Sequence, residues 1–257
     1  MKALVFLLSV ILGAFPFKTA PLLGSGDKQV FIIHYKWGLL NADVCRVTCS
    51  CDSVSWHGQP AYKARIYGKT EKFCEAIIKV REDFQGTFLA ADLRPVKSSR
   101  KAVEPKFNGG ETYKYDWEDG KLDMTINGKH GVKNKSFDIS PGLLDVPSIY
   151  YAVRSIDLTK VTKGQQFKVK VAVGDNVDTI TFIYDGREML QARGVDKVMA
   201  NKLRISVKTG NTFDSKNDIV IWLSDDDFLV PLYFEAPMTL GKVVGRLETS
   251  TGKKSRK

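Results

Sequence analysis

The segment YKYDWEDGKLDMTIN, residues 113–127, contains two alternating runs joined by a turn signal. On both sides of Asp119-Gly120, every second residue is large and apolar: Tyr113, Tyr115 and Trp117, then Leu122, Met124 and Ile126. A period of two is that of a half-buried β-strand, and Asp-Gly is a strong signal for a type I′ hairpin. The segment therefore predicts an antiparallel hairpin with one apolar face.

The same alternation recurs along the 257 residues, from Phe31–Tyr35 near the start to Ile219–Leu223 near the end. We count about a dozen short strands separated by turn signals, a pattern typical of one large antiparallel sheet. The sequence therefore predicts a mainly β protein, built as a large curved antiparallel sheet, a barrel or a half-barrel.

Two segments have helical spacing and predict one or two helices covering the apolar face of the sheet. Glu71–Phe84 places Phe73, Ile77, Val80 and Phe84 at helical intervals, with Thr70 as a candidate N-cap. Asp145–Ile156 offers Asp145 as N-cap and Pro147 in the first turn. Residues 94–112, rich in Lys, Ser, Pro and Gly, predict a mobile connection or an irregular edge strand.

The N-terminus carries the features of an export signal. Met1-Lys2 is basic, and the apolar run Ala3–Ala14 is shorter than the ~20 residues that a membrane-spanning helix needs. We expect a signal peptide at residues 1–20, with its cleavage point open, and a single β-rich domain at 27–247. The expected location is the periplasm or outer envelope of a bacterium, with no membrane span in the mature chain.

The net charge of +10 is concentrated at the two ends of the chain. Without two presequence lysines and the four basic residues of the C-terminus, residues 21–252 have a net charge of +4, with acids and bases interspersed. A nucleic-acid partner is not expected, because such a partner requires a concentrated basic patch. Residues 248–257 are expected to form a basic flexible tail.

The four cysteines leave three interpretations open. Cys45, Cys49 and Cys51 share parity on one predicted strand, and Cys74 lies on the first predicted helix. Buried thiols in a core are one interpretation, and a disulfide such as Cys51–Cys74 is another, since an exported protein meets an oxidising compartment. A zinc site is the third, although the spacing lacks the usual close CxxC pairs.

Three consecutive aspartates, Asp225, Asp226 and Asp227, lie between two apolar runs. The calcium-loop pattern requires a further ligand and a glycine where this chain has Phe228 and Leu229. The aspartates are therefore expected at the tip of a hairpin. The sequence contains no HExxH or GxSxG motif, and it predicts no catalytic residue, metal site or cofactor.

Four further elements occur in order along the chain: Tyr35–Ala42; Asp145–Tyr151 with Arg154; Gly186-Arg187-Glu188; and Ile221–Asp226 followed by Pro231 and Gly241. In this order they resemble secreted bacterial proteins grouped as the domain of unknown function 3108 family, over most of the mature chain. The resemblance implies an envelope-located, mostly antiparallel β protein and supplies no catalytic residue. It also implies that the cysteines occupy positions of small apolar residues, which favours the buried-core interpretation.

The leading functional hypothesis is a non-enzymatic envelope protein that holds a lipid, a lipid-linked glycan or another amphiphile against its curved sheet. The candidate ligand-binding residues are aromatic: Trp37, Tyr113, Tyr115, Trp117 and Trp222. For the stripe from Tyr113 to Trp117, ordinary sheet core is the favoured interpretation. The alternatives are a structural or assembly module docking on an envelope protein, and a carbohydrate-active enzyme that uses a carboxylate pair.

Overall fold

A computed structural model describes residues 16, 18, 25–75, 79–104, 107–207 and 218–252. Within these residues the chain forms one α-helix and one fifteen-stranded sheet. The elements are β1 (Asp27–Trp37), β2 (Leu40–Trp56), β3 (Gln59–Thr70), β4 (Arg81–Leu89), β5 (Pro95–Glu104), β6 (Phe107–Asp116), β7 (Lys121–Gly128), β8 (Gly131–Asp138), β9 (Leu144–Asp145), α1 (Val146–Arg154), β10 (Gln166–Val173), β11 (Asn176–Ala192), β12 (Val195–Val207), β13 (Ile219–Ser224), β14 (Pro231–Pro237) and β15 (Lys242–Thr251).

The strands follow one another in space almost as they do in sequence. The spatial order runs from β8 back to β1, continues through β15, and then descends from β14 to β9. All pairs are antiparallel except β9 with β10. The sheet thus consists of two meanders joined where the first strand pairs with the last, which confirms the predicted large antiparallel sheet.

The sheet curves until its two ends face each other, although they are not joined by a ladder of backbone hydrogen bonds. Tyr113 Oη on β6 donates a hydrogen bond to the backbone oxygen of Gly174, in the β10–β11 turn, at 2.9 Å. Lys133 on β8 pairs with Asp175 in the same turn at 2.8 Å. Side chains therefore bridge the seam of an open half-barrel.

Helix α1 lies on the concave face and begins at a capping box. The Asp145 carboxylate accepts a hydrogen bond from the Ser148 backbone N–H, and Ser148 Oγ accepts one from the Asp145 backbone N–H, both at 2.9 Å. Pro147 follows the cap, as predicted. At the contact with β4, a Cβ on Gly86 would lie 2.9 Å from Pro147 Cβ, so only glycine lets the helix approach so closely.

The predicted helix at Glu71–Phe84 is wrong. A short 3₁₀ turn occupies Lys72–Cys74, and β4 already begins at Arg81; Ile77 lies outside the described residues. Thr70 is the last residue of β3 and exchanges hydrogen bonds with Val80, so it does not cap a helix. The end of this segment forms a strand despite its helical spacing, because β4 pairs with β3 on one side and β5 on the other.

The prediction of a mobile connection or irregular edge at residues 94–112 is also wrong. This segment supplies β5 and the first part of β6, which are paired on both sides. Gly109 has a packing role, because a Cβ there would lie 2.0 Å from the backbone oxygen of Asn127 on β7. Glycine here permits the close approach of two strands.

The predicted ends of the domain need one correction. Residues 248–251, predicted to begin a flexible tail, continue β15, and 249–251 pair with β1, while residues 253–257 lie outside the described part. Most of the predicted signal peptide also lies outside it. Of that segment the structure describes Pro16 and Lys18, whose backbones hydrogen-bond to Asp157 and Ser155 just beyond α1.

Candidate functional site

Helix α1 covers only one half of the concave face. Under the helix, inward-facing side chains are fully buried, among them Phe88, Phe167, Phe182, Leu203 and Leu223. They pack with Tyr151 and Ala152 of α1 in one apolar cluster. This closed half of the half-barrel is filled by side chains.

Beyond the helix, the same rows of inward-facing residues continue but become half-buried. On β13, Leu223 is buried, whereas Ile221, two residues earlier on the same face of the strand, is partly exposed. On β12, Leu203 and Ile205 show the same change. We call this open, apolar half of the concave face the trough; its inward-facing residues include Ile33, Val47, Ile66, Phe84, Ile180, Ile205, Ile221 and Phe234.

One wall of the trough is charged. Arg100 on β5 pairs with Glu82 at 2.8 Å, with Glu111 at 2.9 Å and with Glu104. Its guanidinium also lies over the rings of Phe84 and Phe107. Burial raises the pKa of Glu82, and the hydrogen bond from Arg100 opposes that rise. The trough is thus amphipathic, with apolar residues on β11–β14 and an ion-pair network on β4–β6.

The C-terminal end of α1 is held by a buried polar network. Arg154 Nη1 lies 2.6 Å from Asp27 Oδ2, and Nη2 lies 3.0 Å from Oδ1. Gln29, fully buried, accepts hydrogen bonds from Arg154 and from Tyr150, both at 3.1 Å. Every member of this network has a partner, which lowers the cost of burying its charges.

All four cysteines are free thiols. Burial raises the pKa of both Cys49 and Cys51 to about 12 and that of Cys45 to about 11, so they are protonated near neutral pH. The pairing of Cys51 with Cys74 is not present. Cys74 lies three residues after Glu71, whose backbone hydrogen-bonds to Val44 on β2. Val44 and Cys51 are seven residues apart on that strand, or about 20 Å. Cys74 therefore lies at the other end of β2 from Cys51.

The structure places the five predicted ligand-binding residues in three separate regions. Tyr113, Tyr115 and Trp117 belong to an apolar cluster where β6 and β7 meet β10 across the seam. Trp37 ends β1 and is 52% exposed. Trp222 lies outside the concave face, with its ring tilted against that of Tyr233, and it packs in a cluster with residues of the β11–β12 hairpin. Most of the residues lining the trough are aliphatic, with Phe84 and Phe234 among them. Sequence reasoning missed these residues because alternation does not show which face of the sheet is concave.

The three aspartates lie in the β13–β14 hairpin loop, as predicted. Asp226 Oδ1 accepts hydrogen bonds from Ser224 Oγ at 2.7 Å and from the Phe228 backbone N–H at 2.9 Å. Asp225 pairs with Arg187, and Asp227 with Lys18. Within the described ranges, no three His, Cys, Asp or Glu side chains converge in a way that would hold a metal ion.

The sequence model of a family described as "Protein of unknown function (DUF3108)" matches residues 30–248, most of the chain. This chain belongs to the DUF3108 family. No curated protein sequence matches this DUF3108 member. Its fold is similar to a crystal structure described as a "Beta-barrel-like Protein of Domain of Unknown Function DUF1849" from Brucella abortus, with a TM-score of 0.54 and 11% identity over 91% of this chain and 100% of that one. A DUF1329 family protein from Desulfovibrio piger ATCC 29098 shares 10% identity at a TM-score of 0.25, over 91% of this chain and 86% of that one.

In this DUF3108 protein, two of the elements that carried the resemblance meet in space. Glu188 Oε1 accepts a hydrogen bond from the Trp222 indole N–H at 2.8 Å, and Arg187 pairs with Asp225. These contacts fix the β11–β12 hairpin to β13 on the outer face. Trp222 and the aspartates therefore have structural contacts at the closed end, away from the trough.

No described helix of the DUF3108 protein is long and apolar enough to cross a bilayer.

Proposed function

We propose that this DUF3108 protein is a non-catalytic binding protein for a lipid or another amphiphile, whose apolar chain lies in the trough. The observation that carries the proposal is the change of inward-facing aliphatic residues from fully buried under α1 to half-exposed beyond it. Half-exposed aliphatic residues on a concave face lose contact with water when an apolar ligand covers them.

The charged wall supports an amphiphile over a purely apolar ligand. Three glutamates surround the single guanidinium of Arg100, so the network offers acceptors beside the aliphatic wall. An amphiphile would place its chain along β11–β14 and its polar group toward Glu82 and Glu104. This arrangement calls for binding and orientation and does not require a nucleophile or a general base.

The proposed location is the bacterial periplasm or outer envelope. It is supported by the basic start and the short apolar run at Ala3–Ala14. In such a compartment, a carrier shields an acyl chain from water.

A second candidate, a structural module that docks on an envelope protein, is favoured by a different observation. The closed half of the concave face is filled by large side chains around α1. If the trough only continues this packed core, the protein has no ligand and acts through its surface.

The experiment combines two measurements on the purified mature protein. Mass spectrometry of an organic extract should recover a lipid in a reproducible molar ratio. Delipidated protein should bind a C11 alkylamine that carries a dansyl group at the far end of its chain, with saturable, blue-shifted fluorescence, because its ammonium group suits the three glutamates around Arg100. Extracts free of lipid together with non-saturable fluorescence would reject amphiphile binding and favour the docking module.

A further inference from the structure

Two turns lie side by side at the open end of the trough. They are the β1–β2 turn, which follows Trp37, and the β14–β15 turn, which contains Leu240 and Gly241. Tyr35 Oη donates a hydrogen bond to the backbone oxygen of Leu240 at 2.5 Å. A Cβ on Gly241 would lie 2.8 Å from Trp37 Cβ, so the turns are in direct contact.

These turns expose large apolar side chains. Trp37 is 52% exposed, Leu39 106% and Leu240 58%. Phe73, 68% exposed, lies on the β3–β4 connection, which is joined to β2 by the Glu71–Val44 backbone hydrogen bond. We call Trp37, Leu39, Phe73 and Leu240 the apolar tip. Clustered exposure of this kind marks an interaction surface.

The charge around the apolar tip is positive. Both acids of the β3–β4 connection have basic partners: Glu75 pairs with Arg81, and Glu71 shares Arg46 with Glu248. Exposed lysines remain at Lys36, Lys69, Lys72 and Lys79, and none of them has a carboxylate partner among the residues that the structure describes.

We propose that the apolar tip inserts into the surface of a bilayer containing anionic lipid, with the surrounding lysines contacting the headgroups. A ring of basic residues around exposed Trp, Phe and Leu is the combination that binds anionic interfaces. When the apolar tip is inserted in this way, the open end of the trough faces the membrane. Docking goes beyond the proposed amphiphile binding and does not depend on it, because tip and trough use different residues.

The test is sedimentation of the mature chain with phosphatidylcholine vesicles, with or without phosphatidylglycerol. We expect binding only with phosphatidylglycerol, weakened by added salt because the lysine contribution is screened. In the double variant W37A/L39A the partition coefficient should fall about tenfold or more, because two of the largest inserted side chains are lost. The matched control M189A/M199A removes two exposed apolar residues of the β11–β12 hairpin and should bind like the wild type.

Three outcomes would overturn the proposal: equal loss in W37A/L39A and M189A/M199A, no sedimentation with phosphatidylglycerol, or a concentration-dependent dimer that W37A/L39A abolishes. The last would assign the tip to a second copy of the chain. Binding of the dansylated alkylamine without vesicle binding would reject docking and leave the proposed function intact. Vesicle binding without binding of the alkylamine would support docking and reject the proposed function.

Discussion

The guanidinium of Arg154 on α1 and the carboxylate of Asp27 at the start of β1 form a bidentate ion pair in the protein interior, with N–O distances of 2.6 and 3.0 Å. The pair anchors the C-terminal end of the helix to the strand that joins the two meanders. The position of this anchor determines how much of the concave face α1 covers, and so how much of it remains as trough.

Removing one member of this pair should destabilise the fold. Asp27→Asn leaves the Arg154 guanidinium buried without its counter-charge, which typically costs about 3 kcal/mol of unfolding free energy. Urea denaturation measures the loss. Asp196→Asn, at an exposed position on β12, is the matched control and should change stability by less than about 0.5 kcal/mol. Equal stability of the two variants would contradict a structural role for the pair.

The approach of α1 to β4 should depend on the absent side chain of Gly86. Gly86→Ala places a methyl group 2.9 Å from Pro147 Cβ and should cost about 1–3 kcal/mol in urea denaturation. Gly110→Ala, whose added methyl group would lie 3.5 Å from the Arg100 backbone oxygen, is the control and should be far milder. If Gly86→Ala has the same stability as the wild type, the packing of α1 on β4 is looser than described.

The thiols should be unreactive in the folded protein. Because burial raises the pKa of Cys49 and Cys51 to about 12, almost none of either is thiolate at pH 8. Labelling with iodoacetamide should spare both in native buffer and modify all four cysteines in denaturant. A mass two units lower per disulfide, or resistance to labelling after denaturation, would show that a disulfide forms.

The same thiols should make stability fall at alkaline pH. Their folded pKa of about 12 exceeds the ordinary 9.0, so the unfolded state releases protons first as pH rises. The unfolding free energy that the two protonated thiols contribute is fully present below pH 9 and is lost progressively between pH 9 and 12. The double variant C49A/C51A should show a shallower decline in unfolding free energy across this interval, and an unchanged slope would assign the decline to other groups.

The strands and α1, the second of the two predicted helices, could be predicted because their signals are local. Alternation gave the strands, and Asp145 with Pro147 gave the start of α1. The segment Glu71–Phe84 misled because Phe73, Val80 and Phe84 fit a helical period by chance, while the strand partners of Phe84, Ile66 and Arg100, lie outside the segment.

The site was harder to predict, because alternation separates two faces of a strand without showing which one is concave. Trp222 and Ile221 are neighbours on β13, yet Trp222 lies on the outer face and Ile221 in the trough. Only the position of α1 distinguishes the covered part of the concave face from the open part. The ligand-binding role of the five aromatic residues remains a prediction.

The most direct test of the trough compares two neighbouring residues of β13. Ile221→Trp fills the trough, whereas Val220→Trp adds the same bulk to the outward-facing position beside it. With melting temperature as the check on folding, titration with the dansylated alkylamine should show about tenfold weaker binding for Ile221→Trp and wild-type affinity for Val220→Trp. Equal affinities in the two variants would contradict binding in the trough.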